Sequence, residues 1–257
     1  MKMNSHIFVH LMGGVGNQMF QYAAGLLQKR VTNARLYLEK AVENSHDTTD
    51  YRDELFTDGE KYDTTLPYHT SLYQNDGFAA WNPSDYTYPI VLLFGYFQNY
   101  RVLEPILPEF RTHILENLSK QREHISNKYS ITPTSGFIHI RRGDYVKLGW
   151  ELDTVEYYYR AASMLSHITR WFILSDDIEW CRKNISIDNS ILVEESDTLL
   201  SMALMSEIRG GAIIANSTFS WMGAYLGCGI EPNTVIYPKN WIKIGTPDLF
   251  PQEWLGI

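Results

Sequence analysis

Cysteine is scarce in this chain: two among 257 residues, Cys181 and Cys228. Neither sits in a CxxC pair or a Cys/His cluster, so no metal centre is expected, and both are read as buried free thiols in helical segments. No apolar run reaches the roughly 18 residues that a membrane-crossing helix needs. The residues before Gly13 hold neither a long apolar core nor a basic leader. A soluble, cytoplasmic protein without a membrane span is therefore expected. Basic charge is short as well: 22 Lys and Arg stand against 30 Asp and Glu, a formal net charge of −8. A net acidic surface attracts neither nucleic acid nor anionic lipid, which argues against both as main partners. An anionic ligand can then be held only where basic residues gather at one point. Internal repeats and low-complexity tracts are also missing.

Aromatic residues are plentiful, with 17 Tyr, 11 Phe and 7 Trp. At this length they serve one large domain or two small ones, and they suit either an ordinary core or the stacking of sugar C–H faces. Strand–helix alternation runs through both halves. Residues 7–12, 35–39 and 89–94 read as strands, with a helix from the Gly13–Asn17 turn to about Arg30 and another over about 109–128. In the first helix Phe20, Ala23, Ala24, Leu27 and Val31 recur at helical spacing. Residues 43–88 show little periodicity and read as loops and short elements. The breaker-rich stretch Tyr129–Gly136 marks the expected boundary, giving lobes 1–130 and 131–257. Beyond it, strands are expected at 136–140, 171–174, 191–193, 211–215 and 234–237, and helices at about 154–168, 177–184, 197–209 and 219–227. Asp153 with Glu156 forms a cap signature for the first of these helices. The pattern predicts an α/β protein of two Rossmann-like layers facing each other.

Chemistry concentrates after the predicted strands. His139-Ile140-Arg141-Arg142-Gly143-Asp144-Tyr145 follows an apolar strand. Adjacent arginines there suit a diphosphate, because each guanidinium presents a planar fork of donors to phosphate oxygens, and open α/β sheets bind ligands at the carboxyl ends of their strands. An arginine pair with an aspartate counter-ion on a loop is the plain alternative. Gly13-Gly14-Val15-Gly16-Asn17-Gln18 joins the first strand to its helix. Gly14 and Gly16 allow close backbone approach, and the helix N-terminus offers N–H groups to an anion. The spacing fits neither a dinucleotide fingerprint nor a Walker loop. The amides of Asn17 and Gln18 can contact a sugar or a leaving oxygen. Asp176 and Asp177 follow the 171–174 strand: Asp176 with Glu179 makes an N-cap pair, leaving the other aspartate for a guanine edge or a ribose. Asn216, Ser217, Thr218 and Ser220 open the 219–227 helix, either as donors to phosphate or as caps.

Taken together, GGVGNQMFQYAAG at 13–25, GYFQNY at 95–100, HIRRGDY at 139–145, ILSDDIEW at 173–180 and IIANSTFSWMGAYL at 213–226 resemble the α-1,2-fucosyltransferase family, in order and over nearly the whole chain. The resemblance implies a GT-B-like fold, two Rossmann-like domains facing across a cleft, with the first lobe on the acceptor side and the second binding the sugar nucleotide. It implies a metal-independent, inverting transferase that needs no cofactor, with GDP-β-L-fucose as donor and a galactose-containing glycan as acceptor. By the same resemblance Arg141 is the main diphosphate ligand and Arg142 its support. His139 helps hold the guanosine, Asp144 orients the arginines or the acceptor, and Asn17 reaches the leaving diphosphate. Ser217, Thr218 and Ser220 complete the phosphate cradle. Val15 and Met222 depart from the usual Leu and Trp. Ser201 stands where many members carry an acid, so Asp197, one turn earlier, is the nearest candidate for the base. Asp144, Glu151 and Asp153 are the candidates for general base; elimination leaves Glu151, since Asp144 suits an arginine and Asp153 a helix cap. Transfer of another GDP-sugar, another fucosyl linkage, and a non-catalytic GDP-sugar- or glycan-binding protein remain the alternatives.

Overall fold

The computed structural model describes residues 5–39, 49–64, 71–75, 77–85, 88–152, 155–241 and 248–257. Two compact units emerge: Met1–Asn117 with Pro247–Phe250, and Leu118–Thr246 with Pro251–Ile257. The division thus falls after Asn117 rather than at 130/131. One helix was expected over about 109–128; two form, Leu107–Asn117 (α3) and Ser119–Lys128 (α4), parting at Leu118. The second packs on helix Thr198–Glu207 and so goes with the second unit. The breakers at 129–136 lead into a strand inside that unit.

The first unit is a parallel sheet of His6–His10 (β1), Arg35–Glu39 (β2), Glu60–Tyr62 (β3), Ser71–Asn75 (β4) and Ile90–Gly95 (β5), in the order β3-β2-β1-β5-β4. Helix Val15–Thr32 (α1) covers one face; a short helix, Tyr100–Leu103 (α2), follows β5. Close packing of α1 requires Gly25, where a Cβ would stand 2.6 Å from Val9 Cγ2. Phe20, Ala23, Ala24 and Leu27 are buried as the periodicity predicts, while Val31, in the last turn, is exposed. The strands β3 and β4 are short elements within the stretch 43–88, where periodicity placed none individually. Here a buried Arg52 clamps the chain. Its guanidinium reaches Asp50, Asp63 and the Leu38 carbonyl at 3.0 Å, fixing the end of β2. The bond from Arg52 holds the Asp50 carboxyl down at about 2.

The second unit is a six-stranded parallel sheet of Ser135–Ile140 (β6), Arg170–Ser175 (β7), Ser190–Leu192 (β8), Gly211–Ile213 (β9), Val235–Tyr237 (β10) and Leu255–Gly256 (β11), ordered β11-β10-β9-β6-β7-β8. Its helices are Gly143–Leu148 (α5), Glu156–Met164 (α6), Ile178–Asn184 (α7), Thr198–Glu207 (α8) and Thr218–Gly227 (α9). Every residue of β6 is buried. Ile138, Ile140, Ile173 and Ile213 pack with Tyr157, Tyr158 and Ala161 of α6 and Cys181 of α7. The buried Tyr157 hydroxyl donates to the carbonyls of Ile214 and Ile236, at 2.8 and 3.2 Å. Both cysteines are buried thiols, that of Cys228 donating to the Ile208 carbonyl, and burial pushes the Cys181 thiol up. Asp153, the expected cap of α6, lies outside the described residues; α6 begins at Glu156 with Val155 at its N-cap. No described helix is long and apolar enough to cross a membrane.

In each unit the strand order reverses about one strand. In the first, the chain moves from β1 to β2 on one side and reaches β5 on the other; in the second, from β6 to β7 on one side and to β9 on the other. A crevice for ligands opens at the carboxyl end of such a switch point. Four of the five sequence blocks leave β1, β5, β6 and β9, the strands that flank these two points.

Removing Arg52 leaves two carboxylates and the Leu38 carbonyl without their partner. Arg52→Ala is expected to lower the unfolding free energy by about 3 kcal/mol, since stripping one member from a buried ion pair uncovers the other. Urea titration at pH 7 measures it; a loss within error of zero would mean that the clamp is dispensable.

Candidate active site

At the mouth of β6 the two arginines are held by carboxylates from three directions. Arg141 Nη1 contacts Asp176 Oδ2 at 2.8 Å, and its Nη2 bonds Asp144, one helical turn along the chain in α5. Its guanidinium also lies over the Tyr145 ring, 5.1 Å from the centroid. Arg142 Nε contacts Asp177 Oδ2 at 3.3 Å and its guanidinium stacks on Trp180, 3.9 Å from the centroid. The Arg142 backbone N–H donates to Asp176 Oδ1 at 2.8 Å. A guanidinium carries five N–H donors. These two carboxylate contacts orient that of Arg141 and leave further donors for a ligand. Asp176 comes so close to α5 that a Cβ on Gly143 would meet its Oδ2 at 2.5 Å, which explains the glycine of the RRGD segment.

The two aspartates after β7 divide their work differently from the expectation. Asp177, not Asp176, is the N-cap of α7, accepting from Trp180 N at 3.1 Å. Asp176 instead braces both arginines. The cap signature pointed to the wrong neighbour: Glu179 stands three residues after Asp176 but only two after Asp177, whose carboxylate instead takes the Trp180 backbone N–H. Asp197 caps α8, accepting from Leu200 N at 2.8 Å, and is exposed.

The β9 exit adjoins the arginines. Tyr145 donates to the Asn216 carbonyl at 3.2 Å, and Asn216 Nδ2 donates to the Trp150 carbonyl at 2.7 Å. Asn216 Oδ1 is buried with no hydrogen-bond partner among the described residues. Ser217 is the N-cap residue of α9 but makes no side-chain cap bond. Thr218, half-buried, begins the helix. Ser220 is fully buried and its hydroxyl donates to the carbonyls of Ser217 and Ala215, at 3.0 and 3.3 Å, so it secures the turn. His139 is buried, its ring tilted on Phe219 at 5.5 Å, and its Nδ1 has no partner among the described residues. A pocket of 470 Å³ is lined by Arg141, Arg142, Glu151, Glu156, Tyr158 and Trp180, among others, and Glu151 Oε2 is buried without a partner among the described residues. Of the candidate bases, then, Asp144 is engaged by Arg141 and Glu151 is not. Among the described residues no group of three or more His, Cys, Asp or Glu is placed to hold a metal ion.

In the first unit, amides latch the glycine loop. Gln18 Nε2 donates to the Gly13 carbonyl at 2.9 Å, and Gln21 bonds both backbone groups of Met12. Gln18 is thereby buried in the loop's own support. The positive φ, +72°, falls on Gly13, where a Cβ would strike Asn17 Nδ2 at 2.5 Å; around Gly14, the N-cap of α1, the space is open. Gly16 is buried in the first turn. Asn17 accepts from Gln98 Nε2 at 2.8 Å, which joins the GGVGNQ and GYFQNY blocks at the ends of β1 and β5. The chain turns there through Gly95, at φ +141°, and Phe97, at φ +54°. Next to them is a pair that the sequence reading missed: His10 Nδ1 meets Glu39 Oε2 at 2.8 Å, with the imidazole stacked on Phe94 at 5.0 Å. The two end adjacent parallel strands in register, but lie 29 residues apart in sequence.

The family model Glycosyl transferase family 11 matches residues 2–257. The chain is 29% identical to an alpha-1,2-colitosyltransferase of Escherichia coli, over 98% of this chain and 99% of that protein. It is 28% identical to the O-antigen biosynthesis glycosyltransferase WbnK of Escherichia coli, over 96% and 99%. With galactoside alpha-(1,2)-fucosyltransferase 1 of Sus scrofa it shares 25% identity, over 95% of this chain and 73% of that one. Its fold matches the crystal structures of fucosyltransferase NodZ from Bradyrhizobium (TM-score 0.57, 10% identity, 87% and 94% covered) and of POFUT1 in complex with GDP-fucose (TM-score 0.55, 12% identity, 91% and 98% covered). The α/β, GT-B-like class read from sequence is therefore the observed one.

Burial, reinforced by the Arg141 charge, pushes the His139 imidazole down to about 3. It is neutral at pH 7. An unfolded histidine takes up its proton near pH 6.5, so stability tied to His139 is present above that value and falls as pH drops from there toward 3. Side-chain ¹⁵N chemical shifts should keep the neutral pattern from pH 8 to about 5; an imidazolium signature for His139 at pH 6 would contradict its placement.

Proposed function

As the chain belongs to glycosyl transferase family 11, we propose that it transfers L-fucose from GDP-β-L-fucose to a hydroxyl of a glycan acceptor, foremost O2 of a galactose, with inversion at the anomeric carbon. The second unit is assigned the donor, together with the residues that meet the reacting acceptor hydroxyl, and the first the acceptor side. The observation that carries this reading is the pair of pre-oriented arginines at the end of β6, beside the N-terminus of α9.

The acceptor oxygen attacks the fucose anomeric carbon as the bond from that carbon to the β-phosphate oxygen breaks. The bonding pair leaves with GDP. Positive charge spreads over the sugar ring and negative charge grows on the diphosphate. Donors already aimed at that charge lower the barrier without reorganising. Arg141 is assigned to it first and Arg142 second, with the first N–H groups of α9 and Thr218 completing the cradle. Glu151, half-buried, with its Oε2 shielded and without a partner among the described residues, lines the same pocket as both arginines and takes the acceptor proton. His139, neutral, can share a hydrogen bond with the nucleoside but brings no charge to it.

The colitosyltransferase relative supports a second reading, a different deoxy sugar on the same nucleotide. The phosphate machinery would be common to both, so only a donor panel separates them.

Incubation with GDP-fucose and galactose-terminated acceptors, in the presence of a chelator, should release GDP and yield a Fucα1-2Gal product. Arg141→Ala should lower turnover by about 10²–10³, the usual loss for one transition-state donor. Absence of GDP binding, or full activity in that variant, would overturn the assignment. Gly143→Ala displaces Asp176, and GDP affinity measured by calorimetry should fall by about tenfold or more, the 1.4 kcal/mol order of one misplaced charge-assisted contact. Unchanged affinity would mean that Asp176 does not position the arginines.

A further inference from the structure

We propose that Trp150 is the platform on which a sugar ring of the acceptor stacks. The proposal rests on the reading of the β6 arginines as the donor site, and names the acceptor side of that same site.

Trp150 is 53% exposed, yet it is not loose. Its backbone N–H donates to the Tyr145 carbonyl at 2.9 Å and its backbone carbonyl accepts from Asn216 Nδ2 at 2.7 Å. Gly149, in the left-handed region at φ +63°, ends α5 and reverses the chain so that the indole folds back edge-on to Tyr145, with ring centroids 5.8 Å apart and planes at 82°. Tyr145 in turn lies under the Arg141 guanidinium. The backbone of Trp150 is thus bonded at both its N–H and its carbonyl, and its indole packs on Tyr145, open to solvent, at one remove from the arginine assigned to the leaving group. Fixing it before a ligand arrives removes part of the ordering cost of binding.

The chain itself ties this platform to the reaction. Glu151, the next residue, lines the pocket that Arg141 and Arg142 also line. An exposed ring and a carboxylate residue of that pocket are thus neighbours in the chain. That combination suits a pyranose, which offers a patch of C–H bonds on one face and hydroxyls at its rim. A single exposed indole falls well short of the about 800 Å² per partner that a stable protein interface buries, so the occupant is a small ring rather than a protein.

The test compares wild-type protein with Trp150→Ala and Trp150→Phe, all loaded with GDP-fucose or GDP. In Trp150→Ala the acceptor KM should rise about tenfold, equivalent to 1.4 kcal/mol. The KM for GDP-fucose, the Kd for GDP and the turnover at saturating acceptor should stay near wild type, and Trp150→Phe should recover most of the loss. An unchanged acceptor KM overturns the platform. So does an equal loss of GDP affinity, which would show that Trp150 merely supports the arginines. Titration of the GDP-bound proteins with methyl β-galactoside, followed by tryptophan fluorescence, keeps the two readings apart. Galactoside binding that needs Trp150, without any transfer, would sink the proposed reaction and leave the platform. Transfer with an intact KM in Trp150→Ala would sink the platform alone.

Discussion

The geometry of the second unit depends on the neutralisation of two adjacent guanidinium groups at the end of a buried strand. Left alone, Arg141 and Arg142 would repel each other and turn to solvent. Asp144, Asp176 and Asp177 hold them, each from a different element: α5, the end of β7 and the start of α7. The neighbourhood follows from that arrangement. Position 143 is glycine because Asp176 needs the space. Tyr145 sits beneath Arg141 and reaches the β9 exit, and Asn216 draws the Trp150 loop against the same cluster. The carboxylates also temper the site. Two arginines facing three aspartates and Glu151 form a centre that attracts anions weakly at a distance and binds them through directed donors at contact.

Topology explains why separate sequence blocks converge. Consecutive parallel strands drift away from each other on either side of a starting strand, and the starting strand alone has its carboxyl end flanked by chains going both ways. The strand β1 occupies that place in the first sheet and β6 in the second. Blocks separated by some eighty residues can therefore touch within a unit, as Asn17 and Gln98 do.

Legibility in the sequence followed burial. Strands covered on both faces, such as β6, read as unbroken apolar runs, and helices with one buried stripe read by their periodicity. The strands β3 and β4 were not placed within the stretch read as loops and short elements: β3 is short and largely exposed, and both lie at sheet edges. The break at Leu118 escaped because no glycine or proline marks it. The helix α5 was read only as part of a motif. Among candidate site residues, Arg141, Arg142, Asp144, Asp176 and Asp177 form one cluster. Gln18 and Ser220 proved to be supports, since a polar side chain near a glycine turn serves the turn's own backbone as readily as a ligand. His10 and Glu39 were invisible for a different reason: their pairing is a matter of register between two strands, which no local pattern records.

The two units also differ in the kind of bond that holds their loops. The GGVGNQ turn is latched by Gln18, Gln21 and Gln98, side chains that carry no charge and do not titrate. The arginine cluster is held by ion pairs that remain partly open to water. Ionic strength screens the second kind and leaves the first untouched. The chain thus joins a loop whose shape is insulated from the salt of its surroundings to a charged centre that responds to it.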